Sequence, residues 1–129
     1  MRSTREVVQA HYDAGAKGDL DGMLADLAPD ARWTEAAGSP LAGTWVGREQ
    51  IVEHVFAPIG RDWEGYRFEL ERLLADGRHA AAVGTYSGTW RATGKAMRAR
   101  VVHLWEVDGG RIVRFEQFAD TAAMAASMR

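Results

Sequence analysis

His103 stands in the apolar run Val101 to Val107, and two carboxylates, Glu116 and Asp120, follow in or just past the run Arg111 to Phe118. Between the runs lies Asp108-Gly109-Gly110, a hairpin signal. If the two glycines form a two-residue turn, Asp108 faces Arg111 and, counting back, His103 faces Glu116. Strand alternation then turns Asp120 to the same side, with Val101, Trp105 and Phe118 as apolar and aromatic walls. A histidine and two carboxylates in such a setting are equipped for proton transfer at a carbonyl compound. A bulge in the hairpin would break the His103–Glu116 pairing. Each residue also has a purely structural reading: His103 as a core histidine bonded to Glu116 or a backbone carbonyl, Asp120 as the N-cap of a closing helix.

The elements that must position these groups can be read from periodicity. Ser3 or Thr4 caps a first helix whose buried face is Val7, Val8, His11, Tyr12 and Gly15. Asp19 caps a second, Leu20 to Leu27, that stops at Pro29. Asp30 to Glu35 reads as a short strand in which Trp33 and Glu35 share one side. A loop, Ala36 to Gly43, leads past Trp45 to a third helix that opens at Gly47-Arg48-Glu49 and ends before Pro58. The second half alternates with period two. Tyr66 to Glu71, Ala80 to Tyr86, Val101 to Val107 and Arg111 to Phe118 form an antiparallel meander, and Asp120 caps a last helix through Met128. Segregated helices and a curved antiparallel sheet make an α+β fold, a cone with a mouth that can hold a small molecule.

Composition narrows the function classes. The chain has 129 residues, which suits a single domain over 1–129. Lys and Arg total 16 against 18 Asp and Glu, a net charge of −2, and this argues against nucleic acid as a partner. No run of about 18 apolar residues occurs, so no membrane span is expected, and no leader is visible; a cytoplasmic location follows as the expectation. Cysteine is absent, which removes thiolate nucleophiles and zinc–thiolate sites. The four histidines fall on different elements without H-x-x-x-H or H-E-x-x-H spacing, so no metal is expected. Arg91, Lys95, Arg98 and Arg100 read as solvated charge on an edge strand. Five tryptophans imply either a thick core or an aromatic-lined cavity.

Several short motifs, in this order, carry a family resemblance: Val7-Val8-Gln9, Gly18-Asp19-Leu20-Asp21-Gly22, Asp30-Ala31-Arg32-Trp33, Gly84-Thr85-Tyr86-Ser87-Gly88, Val102-His103-Leu104-Trp105 and Phe118-Ala119-Asp120-Thr121-Ala122. The chain resembles the SnoaL-like polyketide cyclases and ketosteroid isomerases of the nuclear-transport-factor-2-like superfamily. The resemblance implies a conical, cystatin-like barrel in which a curved antiparallel sheet is closed by three N-terminal helices. It also implies a homodimer paired through the sheet, and an apolar cavity for a small carbonyl-containing ligand with no cofactor. By the isomerase pattern Glu35 takes the place of the proton-moving carboxylate. The oxyanion-holding tyrosine falls on His11, with Tyr12 beside it, and the oxyanion-holding aspartic acid falls on His103. By the cyclase pattern Asp120 is the acid–base aspartate. The expected function is proton transfer, as an isomerase or aldol-type cyclase. The catalytic candidates are His103, Asp120, Glu35, Tyr12 and His11, and the ligand-binding candidates are Trp33, Trp105, Phe118, Glu116 and Val101. The alternative is a non-catalytic binder or dimeric scaffold. A protein–protein adaptor would instead require an exposed apolar groove and no ionisable group in a pocket.

Overall fold

The computed structural model describes residues 1–129. Helix α1 (Thr4–Ala16) opens with a capping box: the Ser3 hydroxyl accepts from Glu6 N–H while the Glu6 carboxylate accepts from Ser3 N–H. Its buried residues are Val7, Val8, His11 and Tyr12. Helix α2 (Leu20–Leu24) is capped by Asp19 and is shorter than its apolar pattern suggests. The chain is already extended at Leu27, because β1 (Leu27–Glu35) starts before Pro29 rather than after it. Strand β2 (Gly43–Val46) pairs back on β1, placing Trp45 opposite Trp33.

Helix α3 (Arg48–Ile51) runs through a π turn, Val52–Phe56, into α4 (Ala57–Asp62). The sequence expectation of a stop before Pro58 is therefore corrected. Proline lacks an N–H and its ring presses on the preceding turn of an α-helix. The wider π turn, in which Ala57 N–H reaches Val52 carbonyl, takes up the strain before Pro58 enters the first turn of α4.

Four long strands complete the sheet: β3 (Trp63–Asp76), β4 (His79–Trp90), β5 (Lys95–Asp108) and β6 (Arg111–Ala119). The six strands lie in the order β2-β1-β6-β5-β4-β3. All neighbours are antiparallel except β1 and β6. The sheet does not close on itself, since β2 and β3 remain edges. Helix α5 (Thr121–Ser127) follows β6, with Asp120 as its N-cap. The core sits between α1, the α3–α4 segment and the concave face, around Val7, Val8, Ile51, Trp105, Ile112 and Phe115. Because β5 lies inside the sheet, Arg98 and Arg100 are not edge charge. They stand on its outer face, where Arg100 pairs with Glu71 and also bonds Thr85.

Register decides which side chains look inward, and it changes once in β6. Gly109 and Gly110 have positive φ and make the expected two-residue turn, with Asp108 opposite Arg111 and Val107 opposite Ile112. Then Val113 is inserted as a bulge, so that Glu106 faces Arg114, Trp105 faces Phe115 and His103 faces Gln117. The His103–Glu116 pairing is thus overturned: Glu116 lies opposite Leu104 on the other face.

A second irregularity lies in β3, between Leu70 and Arg72. It is matched by Gly84, where a Cβ would overlap the Glu69 carbonyl oxygen and the Phe68 ring. Gly84→Ala is therefore expected to destabilise the fold by about 2 kcal/mol or more, read as a lowered urea midpoint with unchanged slope. Wild-type stability in this variant would show that β3 is not pressed against β4 here.

Candidate active site

A cavity of about 670 Å³ lies between the concave face and the helices. Helix α1 contributes His11 and Tyr12, β1 gives Trp33 and Glu35, and the π turn and α4 give Val55, Phe56 and Ile59. The sheet adds Tyr66, Phe68, Leu70, Tyr86, His103 and Phe115. Exposed Arg67 and Glu69 mark the rim. The size suits a small organic molecule, and the lining is mainly apolar with a few polar groups, as ligand sites generally are.

The polar groups form one connected network. The Tyr12 hydroxyl is 2.6 Å from His103 Nδ1, and the Tyr86 hydroxyl is 2.6 Å from His103 Nε2. The Trp105 indole N–H donates to the Tyr12 oxygen at 2.9 Å, and Gln117 Nε2 donates to the Tyr86 oxygen at 2.8 Å. Gln117 is held in that orientation because its Oε1 accepts from Ala36 N–H. Burial, reinforced by His11, holds the His103 pKa well below the ordinary histidine range, so the ring is neutral. Burial also pushes the Tyr12 and Tyr86 hydroxyls well above the ordinary tyrosine value. His11 is likewise buried, which lowers its pKa to about 4, and its Nδ1–H donates to the Met23 carbonyl.

Glu35 is the ionisable group without a partner. It is 5% exposed, and its Oε2 makes no hydrogen bond. Burial raises its pKa to about 7. The Trp33 indole N–H works against that rise but does not close to hydrogen-bond geometry. A carboxyl that is about half ionised at neutral pH can both take and give a proton.

Of the sequence candidates, His103, Glu35, Tyr12, His11 and Trp33 come together on the cavity wall. Asp120 does not: its carboxylate accepts from Ala123 N–H as a helix cap, and it is absent from the cavity lining. Glu116 and Phe118 face outward because of the Val113 bulge, and Phe118 is 51% exposed. Val101 is inward but packs with Met97, Ala99 and Met124 rather than lining the cavity. Trp105 lies fully buried behind the wall, reaching it only through its bond to Tyr12. The sequence reading missed Tyr86, Tyr66 and Gln117. The inward alternation of β4 could have found Tyr86, whereas Gln117 required knowing the bulge. Trp45, Trp63 and Trp90 border a separate cleft.

The Glu35 shift has a definite sign in stability. The folded pKa, about 7, lies above the ordinary 4.5, so the folded state holds the proton more tightly and stability falls as pH rises between these values. His11 acts oppositely, costing stability as pH falls from 6.5 towards 4, but equally in wild type and variant. Glu35→Gln should therefore gain on the wild type by roughly 2–3 kcal/mol between about pH 5 and about pH 8. Urea denaturation at both pH values measures this, and a pH-independent difference would show that the carboxyl is not raised.

With the geometry in hand, comparisons place the chain among known proteins. The family model for the SnoaL-like domain matches residues 8–115. An NTF2-like protein from Burkholderia thailandensis is 46% identical with a TM-score of 0.98, the match covering 100% of this chain and 99% of that one. An NTF2-like protein of unknown function from Burkholderia pseudomallei is 30% identical over 98% of both chains, with a TM-score of 0.89. TerC, co-crystallised with polyporic acid, is 26% identical over 97% of both chains, with a TM-score of 0.86. No curated protein matches. No helix is long and apolar enough to cross a membrane. A family match over most of the chain, with the same curved sheet and helices in its structural relatives, makes this chain a member of the SnoaL-like domain family, with the NTF2-like fold.

Proposed function

We propose that the protein is an acid–base catalyst acting on a small apolar carbonyl compound, as an isomerase or aldol-type cyclase. The observation that carries this reading is the unpartnered, buried Glu35 carboxyl on the wall of a cavity that also holds the Tyr12–His103–Tyr86 network. Glu35 as carboxylate takes a proton from the carbon next to the carbonyl, and the electron pair moves onto the carbonyl oxygen. A hydroxyl of the network donates a hydrogen bond to that oxygen, stabilising the charge in a water-poor site. Isomerisation follows when Glu35 returns the proton to a different carbon. Cyclisation follows when the enolate carbon instead attacks a second carbonyl carbon, whose π electrons move onto its own oxygen, and that oxygen takes the proton from Glu35. His103 serves this scheme as a neutral member of the network, not as the base. TerC's co-crystallisation with polyporic acid supports a small-molecule cavity. The alternative from sequence, a binder without chemistry, shares the cavity and differs only in the fate of the proton.

Hydrogen–deuterium exchange at the α-carbon of bound bicyclic ketones such as 1-tetralone tests the reading. The wild type should accelerate exchange, and Glu35→Gln should slow it by about a hundredfold or more. Asp120→Asn should leave it within about twofold. Binding without accelerated exchange would leave a binder, and loss of exchange on changing Asp120 would move the base to the end of β6.

We further propose that the outer sheet face pairs two copies of the chain, as the family resemblance implies. Leu104, 41% exposed, and Phe118, 51% exposed, stand on this face on adjacent strands. Light scattering should give a dimer mass for the wild type and a monomer for Phe118→Glu; a wild-type monomer would overturn the pairing.

A further inference from the structure

The protons of the cavity network can be counted. The Trp105 indole N–H can only donate, and it donates to Tyr12. Gln117 is equally committed, because its Oε1 is taken by the Ala36 N–H and its Nε2 must face Tyr86 as a donor. The neutral His103 ring carries one N–H and one lone pair. Two arrangements satisfy these constraints. With the proton on Nδ1, Tyr86 donates to Nε2, while Tyr12 accepts from both Trp105 and His103 and keeps its own proton free. With the proton on Nε2, Tyr12 donates to Nδ1, while Tyr86 accepts from both Gln117 and His103 and keeps its own proton free. Either way, one tyrosine proton is left over for a third partner.

The surroundings choose between them. Neither tyrosine has a bonded acceptor other than His103. The Tyr12 ring packs on His11, Phe68, His103 and Trp105, none of which carries a hydroxyl. Tyr86 lies beside Tyr66, 5.2 Å between ring centroids, a neighbour that carries a second hydroxyl. Glu35 is on the same side: it lines one small cavity with Tyr66 and Gln117, and Gln117 bonds Tyr86.

We infer that Tyr86 on β4 is the hydroxyl that donates to a bound ligand's oxygen, and that Tyr12 on α1 is a positioning residue that fixes His103 as its Nε2–H tautomer. The inference rests on the proposed carbonyl chemistry for the identity of the ligand oxygen, but the tautomer is a property of the protein alone. Two N–H donors already converge on the Tyr86 oxygen, so its proton is polarised and its partial negative charge is carried by Gln117 and His103. The oxygen-binding group and Glu35 then share one end of the cavity, where Gln117 joins β6 to the end of β1. Trp105 and Tyr12 anchor the other end. This moves the donor from the first helix, where the isomerase pattern puts it, to the fourth strand.

Histidine ¹⁵N NMR of the intact, unliganded protein tests the tautomer. We expect His103 with a protonated Nε2 and a bare Nδ1; a protonated Nδ1 overturns the inference. The carbonyl stretch of bound 1-tetralone tests the donor. It should be shifted down in the wild type and should return to its apolar-solvent value in Tyr86→Phe, with affinity lowered about tenfold; in Tyr12→Phe, which releases the His103 tautomer, the shift should be reduced and the Nε2–H signal of His103 should weaken. A shift lost in Tyr12→Phe but kept in Tyr86→Phe overturns the assignment, as does an unshifted wild-type carbonyl. If tetralone does not bind at all, the proposed carbonyl function falls, and the tautomer measurement still decides the network. That measurement needs no variant, so a failure of Tyr86→Phe to fold does not remove it.

Discussion

Every inward-facing side chain of β6 beyond Val113 owes its place to one extra residue. A strand alternates strictly, so a single insertion carries all later side chains to the opposite face. The turn at Gly109 and Gly110 begins in the register that two residues allow, and Val113 then shifts it. Without that shift Glu116 would stand against His103 in the interior, and Gln117 and Phe115 would face out. The bulge thus exchanges a carboxylate for an amide beside His103. The exchange matters energetically, because a carboxylate there would have to be ionised without water or would need a proton of its own. The amide instead links Ala36 N–H to the Tyr86 hydroxyl.

The network beside the cavity is built from groups that stay neutral. His103, Tyr12 and Tyr86 are all pushed by burial towards their uncharged forms, and each is bonded to another member. Satisfied neutral groups are tolerated in an interior where single charges are not. Glu35 is the exception. It is desolvated as deeply, yet no side chain answers its Oε2. The tryptophans serve both readings of their number. Trp33 lines the cavity and stacks on Phe115, 3.9 Å between centroids, while Trp105 is core that reaches the site through its N–H.

The α+β class, the hairpin turns and the helix caps were legible because each rests on local chemistry: Ser3 with Glu6, Asp19, Gly109-Gly110, Asp120. Helix ends near proline were not. Pro29 sits within β1, and Pro58 within a helix relieved by a π turn. Pro29 is carried in a strand that pairs with β6 on either side of it, and the constraint at Pro58 is met inside the helix by the π turn. Among the site residues, those on unbroken alternations (Glu35 and Trp33 on β1, His103 on β5) and on the buried face of α1 were found. Those past the bulge are misassigned as a group: strict alternation puts Glu116 and Phe118 inward, whereas the structure turns Phe115 and Gln117 to that side. A trace of the bulge is visible in hindsight, since the inward apolar residues Ile112 and Phe115 are three apart where strict alternation demands two or four.

The π turn has a consequence for how such a cavity changes size. Its extra residue lies in the stretch that brings Val55 and Phe56 to the cavity. A π turn absorbs one residue more than the α turn it replaces, so Ala57 N–H reaches Val52 carbonyl and α4 continues undisturbed. Deleting one residue from Val52–Phe56 would restore ordinary winding and leave Ile59 in place. Only the wall inside the turn would change shape, while the sheet bearing Glu35, Tyr86 and His103 kept its register. A single-codon deletion would therefore remodel one stretch of the cavity and spare the proton-handling groups.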